Sequence, residues 1–300
     1  MVYHSSHSGF KTALVTGADG FTGKYMTDLL KKRGYRVIAL GHTGANSTIV
    51  CDLTDQQSVS EVIEKTVPDL VVHLAALSFV GENNVEGFYQ VNLFGTMHLL
   101  EALGKLKIPP KKILIASSAN VYGTANANII DESMCPSPVN HYANSKLAME
   151  HMVRTWFDRL NIIIVRPFNY TGPGQEERFL IPKIVAHFRR REREINLGNL
   201  EVSRDFSDVR DVVDSYVALL ESEFLSVTVN ICSGIITSLR EVIKMMNECA
   251  GYEIKVSVDP ALIRTNEVTR LQGSNELLRK LIGYAPKTPL QVTLQDMYRL

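Results

Sequence analysis

Tyr142-Ala143-Asn144-Ser145-Lys146 sets a phenol and an ammonium four residues apart. The segment from Tyr142 to Arg159 is predicted to be a helix, on which i and i+4 side chains share one face. A nearby ammonium favours the phenolate and lowers the phenol's pKa. The pair is therefore a candidate general acid/base for a hydroxyl or a carbonyl at neutral pH. The same spacing also occurs on ordinary exposed helices, where such a pair adds only roughly 0.2–0.5 kcal/mol. What separates the two readings is the set of elements that would have to position the pair.

Those elements begin with a short apolar run, Thr12 to Val15. Gly17-Ala18-Asp19-Gly20-Phe21-Thr22-Gly23 follows, and then a helix-like segment to about Arg33. Strand, glycine turn and helix form the context of a dinucleotide fingerprint, here spaced G-x-x-G-x-x-G. Gly17 would allow the tight turn, Gly20 the approach of a pyrophosphate, and Gly23 the close packing of helix on strand. The free N–H groups at the helix start, with Phe21 and Thr22 beside them, would face the anion. A second strand, Arg36 to Leu40, runs into Gly41-His42-Thr43 and carries no acid at its end. NAD-preferring folds usually hold the ribose 2′-hydroxyl there with a carboxylate. Its absence leans the reading towards NADP(H) over NAD(H), with His42 or Thr43 as a phosphate contact.

Further on come Asp52-Leu53, a helix from Ser58 to Thr66, and a buried-type strand from Asp69 to Leu74. Ala75 and Ala76 follow it, small enough to leave room for a flat cofactor at the strand end. A helix from about Asn84 to Leu103 carries Asn92. Next are a strand from Lys112 to Ser118 and, after the Tyr142 helix, a strand from Ile162 to Arg166. This alternation predicts an α/β fold with a doubly wound parallel sheet of Rossmann type. Pro167-Phe168-Asn169 opens a turn-rich stretch, followed by a helix (about Phe179 to Arg191), a loop (Gly198 to Asp205) and a helix from Val209. A strand, Thr228 to Ile231, is expected to rejoin the sheet, and Leu239 to Ala250 to be helical before a turn-rich tail. The division expected is a dinucleotide-binding domain of residues 1–166 plus about 208–232. A smaller lobe of 167–207 and 233–300 would bind substrate.

Composition narrows the classes. The 300 residues carry 32 Lys+Arg against 32 Asp+Glu, and 45% are hydrophobic, which gives no basic surface for nucleic acid. No run approaches a membrane span and the first ten residues hold no apolar signal core, so a cytoplasmic protein is expected. Cys51, Cys135, Cys232 and Cys249 form no CxxC pair and read as free thiols, and no metal site is expected.

Taken together and in order, the glycine loop, HLAA (73–76), SSANVYG (117–123), YANSK (142–146), RPFNYTGPGQ (166–175) and RDFSDVRD (204–211) resemble the extended short-chain dehydrogenase/reductase family. NICSG (230–234), the pair Arg264 and Glu267, and GSN (273–275) look most like its GDP-4-keto-6-deoxy-D-mannose reductases. The resemblance implies Ser118 as the group that orients the substrate oxygen, Tyr142 as acid/base, and Lys146 as holder of the nicotinamide ribose and of the phenol's pKa. It also implies cofactor contacts from Gly17, Gly20, Phe21, Thr22, Gly23, His42, Asp52, Leu53, Leu74, Ala75, Ala76, Asn92, Ser117, Pro167 and Phe168. Substrate contacts would come from Asn120, Asn169, Arg204, Arg264 and Glu267. Dehydratases of the family place an acid directly after the serine or threonine. Ala119 and Asn120 stand there instead, so dehydration is not expected.

The function implied is NAD(P)H-dependent reduction of the C4 ketone of a nucleotide-linked 4-keto-6-deoxyhexose, in deoxysugar biosynthesis. The alternatives are a 4-epimerase with tightly held NAD, which shows no net cofactor turnover, and a catalytically silent nucleotide-binding protein. The family also implies a homodimer.

Overall fold

The structure, a computed structural model, describes residues 11–44, 48–78, 84–124, 128–262 and 268–300. In chain order the elements are β1 (Thr12–Thr16), α1 (Phe21–Lys32), β2 (Arg36–Gly41), β3 (Ile49–Val50), α2 (Gln56–Thr66) and β4 (Leu70–His73). Then come α3 (Val85–Tyr89), a π-helical turn (Gln90–Gly95), α4 (Thr96–Gly104), β5 (Lys112–Ala116) and a 3₁₀ turn (Ala119–Tyr122). α5 (His141–Arg154), β6 (Ile162–Pro167), β7 (Asn169–Thr171), α6 (Leu180–Arg189), β8 (Glu194–Leu197) and β9 (Ser203–Asp208) follow. The rest is α7 (Val209–Glu221), β10 (Val227–Ile231), β11 (Ile236–Ser238), α8 (Leu239–Ala250), β12 (Lys255–Val258), β13 (Arg270–Leu271), α9 (Glu276–Ile282) and α10 (Leu290–Arg299).

Runs of aliphatic residues buried on both faces make the central strands. Ile162, Ile163, Ile164 and Val165 are all fully buried, which alternation with polar residues would forbid and a sheet covered by helices requires. Seven strands lie in the order β10-β6-β5-β4-β1-β2-β3. The pairs β5–β4, β4–β1, β1–β2 and β2–β3 are parallel. The fold is α/β and Rossmann-like, with β10 returning to the sheet edge beside β6.

Two compact units divide the chain. The first comprises residues up to Ala116, with Ala148–Ile164 and Glu223–Val227. Its core gathers Leu14, Ile63, Val71, Leu99, Leu103, Ile113, Met149 and Ile162, and α2 packs on α4. The second comprises Ser117–Leu147, Val165–Ser222 and Thr228–Leu300. There β9 is flanked by β11 and β13 and also pairs with β7, while β8 and β12 form a separate parallel pair. α6, α8 and α10 enclose a core of Ile184, Phe188, Val242, Met246 and Leu294.

Several boundaries differ from the expectation. α5 stops at Arg154 because Thr155, Trp156 and Phe157 switch to i→i−3 bonds and the Thr155 hydroxyl takes the Met152 carbonyl. The segment expected as one helix from Asn84 to Leu103 is interrupted by the π-helical turn, where the Asn92 side chain bonds the backbone of Leu77. The expected loop from Gly198 to Asp205 becomes strand β9 from Ser203, since partners remote in sequence take up its backbone groups. The tail expected to be turn-rich holds α9 and α10, the latter anchored by buried Leu294 and Met297.

Candidate active site

In the second unit Ser118 ends the chain's exit from β5 and caps the 3₁₀ turn, its Oγ accepting the Asn120 amide at 3.2 Å. α5 starts just after Asn140, whose side chain accepts the Ala143 amide at 2.9 Å. That start fixes Tyr142 in the helix's first turn and Lys146 one turn later, both buried. Tyr142 and Ser118 are joined by a side-chain hydrogen bond. Burial pushes the Tyr142 phenol up to about 12 despite that bond, and the Tyr170 phenol adds to the rise. The sequence expectation was the reverse, a phenol held down by Lys146. Desolvation of the anion outweighs the favourable bond from Ser118 here, because a buried phenolate loses its hydration.

Around this pair the second unit is tied by buried polar groups. Arg166 donates to the Tyr122 hydroxyl at 2.9 Å and lies over its ring; the hydroxyl donates to Asn230 Oδ1 at 2.7 Å. Ser117 is buried with its amide on the Val165 carbonyl, Pro167 is buried at the end of β6, and Phe168 packs against Tyr122. The expected substrate residues are spread out. Asn120 is half-buried in the 3₁₀ turn, Asn169 is exposed at the start of β7, and Arg204 is half-buried on β9 with Nη1 on the Ser203 carbonyl. Arg264 and Glu267 lie outside the described residues. Asp205, not singled out from sequence, is a fully buried hub: it accepts from Ser233 N and Oγ, Gly234 N and Gly273 N. Burial raises its pKa in spite of these bonds. The RDFSD run could have flagged it, since a carboxylate inside a strand-like apolar stretch needs a partner.

In the first unit the glycine turn fits a dinucleotide. Gly17 has φ +66°, and a Cβ there would stand 2.8 Å from the Ala75 nitrogen. A Cβ on Gly23 would overlap the Gly17 carbonyl oxygen. α1 begins at Phe21 with no side-chain cap and no acid in its first turn, with Thr22 half-buried beside it. Its leading amides are thus suited to an anion such as a pyrophosphate. Leu74 and Ala75 send their amides to Thr16 Oγ1, both at 3.2 Å, and Ala76 follows half-buried. His73 bridges Thr16 and Thr96 at 2.8 Å each, and Thr96 donates to the Asn92 carbonyl. That last bond uses the Thr96 proton, so His73 donates from Nε2 and accepts at Nδ1. His42 is exposed after β2. Asp52 is exposed and occupied with its own turn at Thr54, while the Leu53 side chain is committed to the core beside Val59 and Leu99.

Among the described residues no cluster of acids, histidines and cysteines could hold a metal ion, and no helix is long and apolar enough to cross a membrane. The GDP-mannose 4,6 dehydratase family model matches residues 14–297. The GDP-6-deoxy-D-talose 4-dehydrogenase of Aggregatibacter actinomycetemcomitans is 37% identical over 288 residues, covering 95% of this chain and 96% of its own. The GDP-6-deoxy-D-mannose reductase of Pseudomonas aeruginosa is 34% identical over 295 residues, covering 94% of each. Among solved structures, RMD from Pseudomonas aeruginosa complexed with NADPH superposes with a TM-score of 0.86 at 30% identity, covering 97% of each chain. A match this long, on a chain with the glycine turn and the Ser118, Tyr142 and Lys146 arrangement described above, places the protein in the NAD-dependent epimerase/dehydratase group of the extended short-chain dehydrogenase/reductase family.

Proposed function

We propose that the protein reduces the C4 ketone of a nucleotide-linked 4-keto-6-deoxyhexose, with GDP-4-keto-6-deoxy-D-mannose as the substrate of choice. The observation that carries this reading is the hydrogen-bonded pair of Ser118 and Tyr142, followed by Ala119 and Asn120 rather than an acid. Dehydration needs a proton-active side chain at that position, and neither a methyl group nor an amide is one. A bound nicotinamide cofactor would supply the hydride that C4 requires.

The chain's own residues handle the oxygen. The Ser118 hydroxyl, its oxygen already holding the Asn120 amide, donates to the ketone oxygen and fixes its direction. Tyr142 delivers the proton: as C4 becomes tetrahedral its oxygen turns alkoxide-like, a stronger base than a tyrosinate, so transfer from a phenol near pKa 12 runs downhill. Lys146, buried one helical turn on, stabilises the tyrosinate that remains until solvent reprotonates it. Asn169 and Arg204 are assigned to the nucleotide sugar, where a guanidinium can take a diphosphate in bidentate fashion. We assign residues 1–166 with about 208–232 to the dinucleotide and the remainder to the sugar nucleotide.

The test is consumption of reduced nicotinamide with freshly made GDP-4-keto-6-deoxy-D-mannose, with the product's C4 configuration read by NMR. Stoichiometric oxidation with loss of the ketone is expected. No oxidation, together with NAD that co-purifies with the protein, would replace the reductase by a 4-epimerase. Tyr142→Phe is expected to lower turnover by about a thousandfold or more while dinucleotide binding persists; full activity in that variant would remove the acid/base assignment.

A further inference from the structure

Strand β2 ends on Gly41, and the space that a side chain would take there is filled by another residue. A Cβ on Gly41 would stand 2.7 Å from both Cγ and Oδ2 of Asp19. Asp19 belongs to the glycine turn, and its Oδ2 accepts the His42 amide at 2.9 Å, the Thr43 amide at 3.1 Å and the Thr43 hydroxyl at 3.0 Å. Consecutive amides with a hydroxyl make an anion nest, and the chain's own carboxylate occupies it. These three bonds fall on one oxygen and Asp19's own amide adds a fourth to the carboxylate, whose roughly four lone-pair sites on two oxygens still leave capacity to accept from a hydroxyl. Among the described residues no lysine or arginine pairs with this carboxylate. Burial raises its pKa, but the bonds from Thr43 and His42 outweigh that and hold it below the ordinary value, so it is ionised at neutral pH.

In folds of this kind the adenosine ribose sits at the end of the second strand, where an acid on the strand takes the 2′-hydroxyl. Here the strand offers no side chain and the turn sends a carboxylate to the same place. We propose that Asp19 selects the cofactor at its ribose 2′ position, accepting a 2′-hydroxyl and repelling a 2′-phosphate, so that the protein prefers NAD(H) to NADP(H). A 2′-phosphate would have to displace Asp19 from the nest or lie beside it, charge against charge. The lean towards NADP(H) drawn from sequence assumed that no carboxylate stood at the end of β2, and that premise is overturned. The inference rests on the dinucleotide reading of the glycine turn.

Dissociation constants of NADH and NADPH, measured by calorimetry without sugar substrate, test it on the wild type, Asp19→Asn and Asp19→Ala. The wild type should bind NADH at least about tenfold more tightly than NADPH. Asp19→Asn keeps an acceptor and loses the charge, and should close most of that gap. Asp19→Ala also frees the nest amides and should favour NADPH further. In the wild type the gap should narrow as salt rises, because screening weakens repulsion. Equal wild-type affinities, or a gap that neither variant changes, would overturn the role of Asp19 while leaving the dinucleotide reading intact. Wild type that binds neither cofactor would remove that reading itself. If a variant fails to fold, the salt dependence of the wild-type gap stands in for it, and a gap that salt leaves unchanged would overturn the charge repulsion.

Discussion

Tyr142 shows how one side chain's surroundings set the direction in which it works. A phenol raised to about 12 by burial is a proton donor throughout the neutral range. Reduction should therefore be insensitive to the ionisation of Tyr142 between about pH 6 and 9, since the protonated form persists well below its pKa. A kcat profile for ketone reduction that falls with an apparent pKa near 7 would show instead that Lys146 governs the phenol in the working complex. Ser118→Ala should lower kcat by about a hundredfold with little change in cofactor affinity, because it removes a donor aimed at developing charge. An equal loss of NADH binding would count against that role.

At the scale of elements, the site depends on how strands end and helices begin. The turn after Ser118 closes at Gly123, which has φ +58° and where a Cβ would overlap the Ser137 carbonyl oxygen. Gly123→Ala puts a side chain on a left-handed backbone and must also push the Ser137 segment away. A loss of about 2–4 kcal/mol in unfolding free energy is expected, checked by denaturant titration. A near-neutral result would mean that the turn relaxes freely and does not hold Ser118 in place. In the first unit the Thr16–His73–Thr96 chain links the end of β1 to the π-helical turn that carries Asn92. A π turn places one extra residue in the helix and re-aims a side chain, which an unbroken helix over the same span would not do.

Across the second unit as a whole, Asp208 ties three elements together. Its buried carboxylate at the end of β9 caps α7 through the Arg210 amide and accepts the Arg210 side chain at 2.8 and 2.7 Å and Thr293 of α10 at 2.7 Å. Burial pushes its pKa up, but the bonds from Arg210 and Thr293 prevail and hold it below the ordinary carboxylate value. A depressed folded-state pKa means stability that is present above the unfolded value and lost as pH falls through the folded one. Asp208→Asn should cost about 2 kcal/mol at pH 7, tempered by the partial exposure of Arg210. The two melting temperatures should converge as pH falls below the ordinary carboxylate range and the wild-type carboxylate takes up its proton. A gap independent of pH would assign the loss to packing alone.

Much of this was legible in the residues. The apolar runs of β1, β4, β5 and β6, the glycine spacing before α1 and the i, i+4 pair of Tyr142 and Lys146 are local patterns, and local patterns set strand, turn and helix. The order of motifs along the chain pointed to the family before any coordinate. Strand β9 and helix α10 were not legible, because their backbone groups and apolar faces are taken up by segments far away in sequence. Nor was the sense of the Tyr142 shift, since desolvation depends on what surrounds the phenol and not on its neighbour four residues on. The carboxylate at the end of β2 is the plainest case. By itself the sequence determined that β2 lacks an acid at Gly41; only the folding of the glycine turn against that strand decided that Asp19, 22 residues earlier, stands in its place.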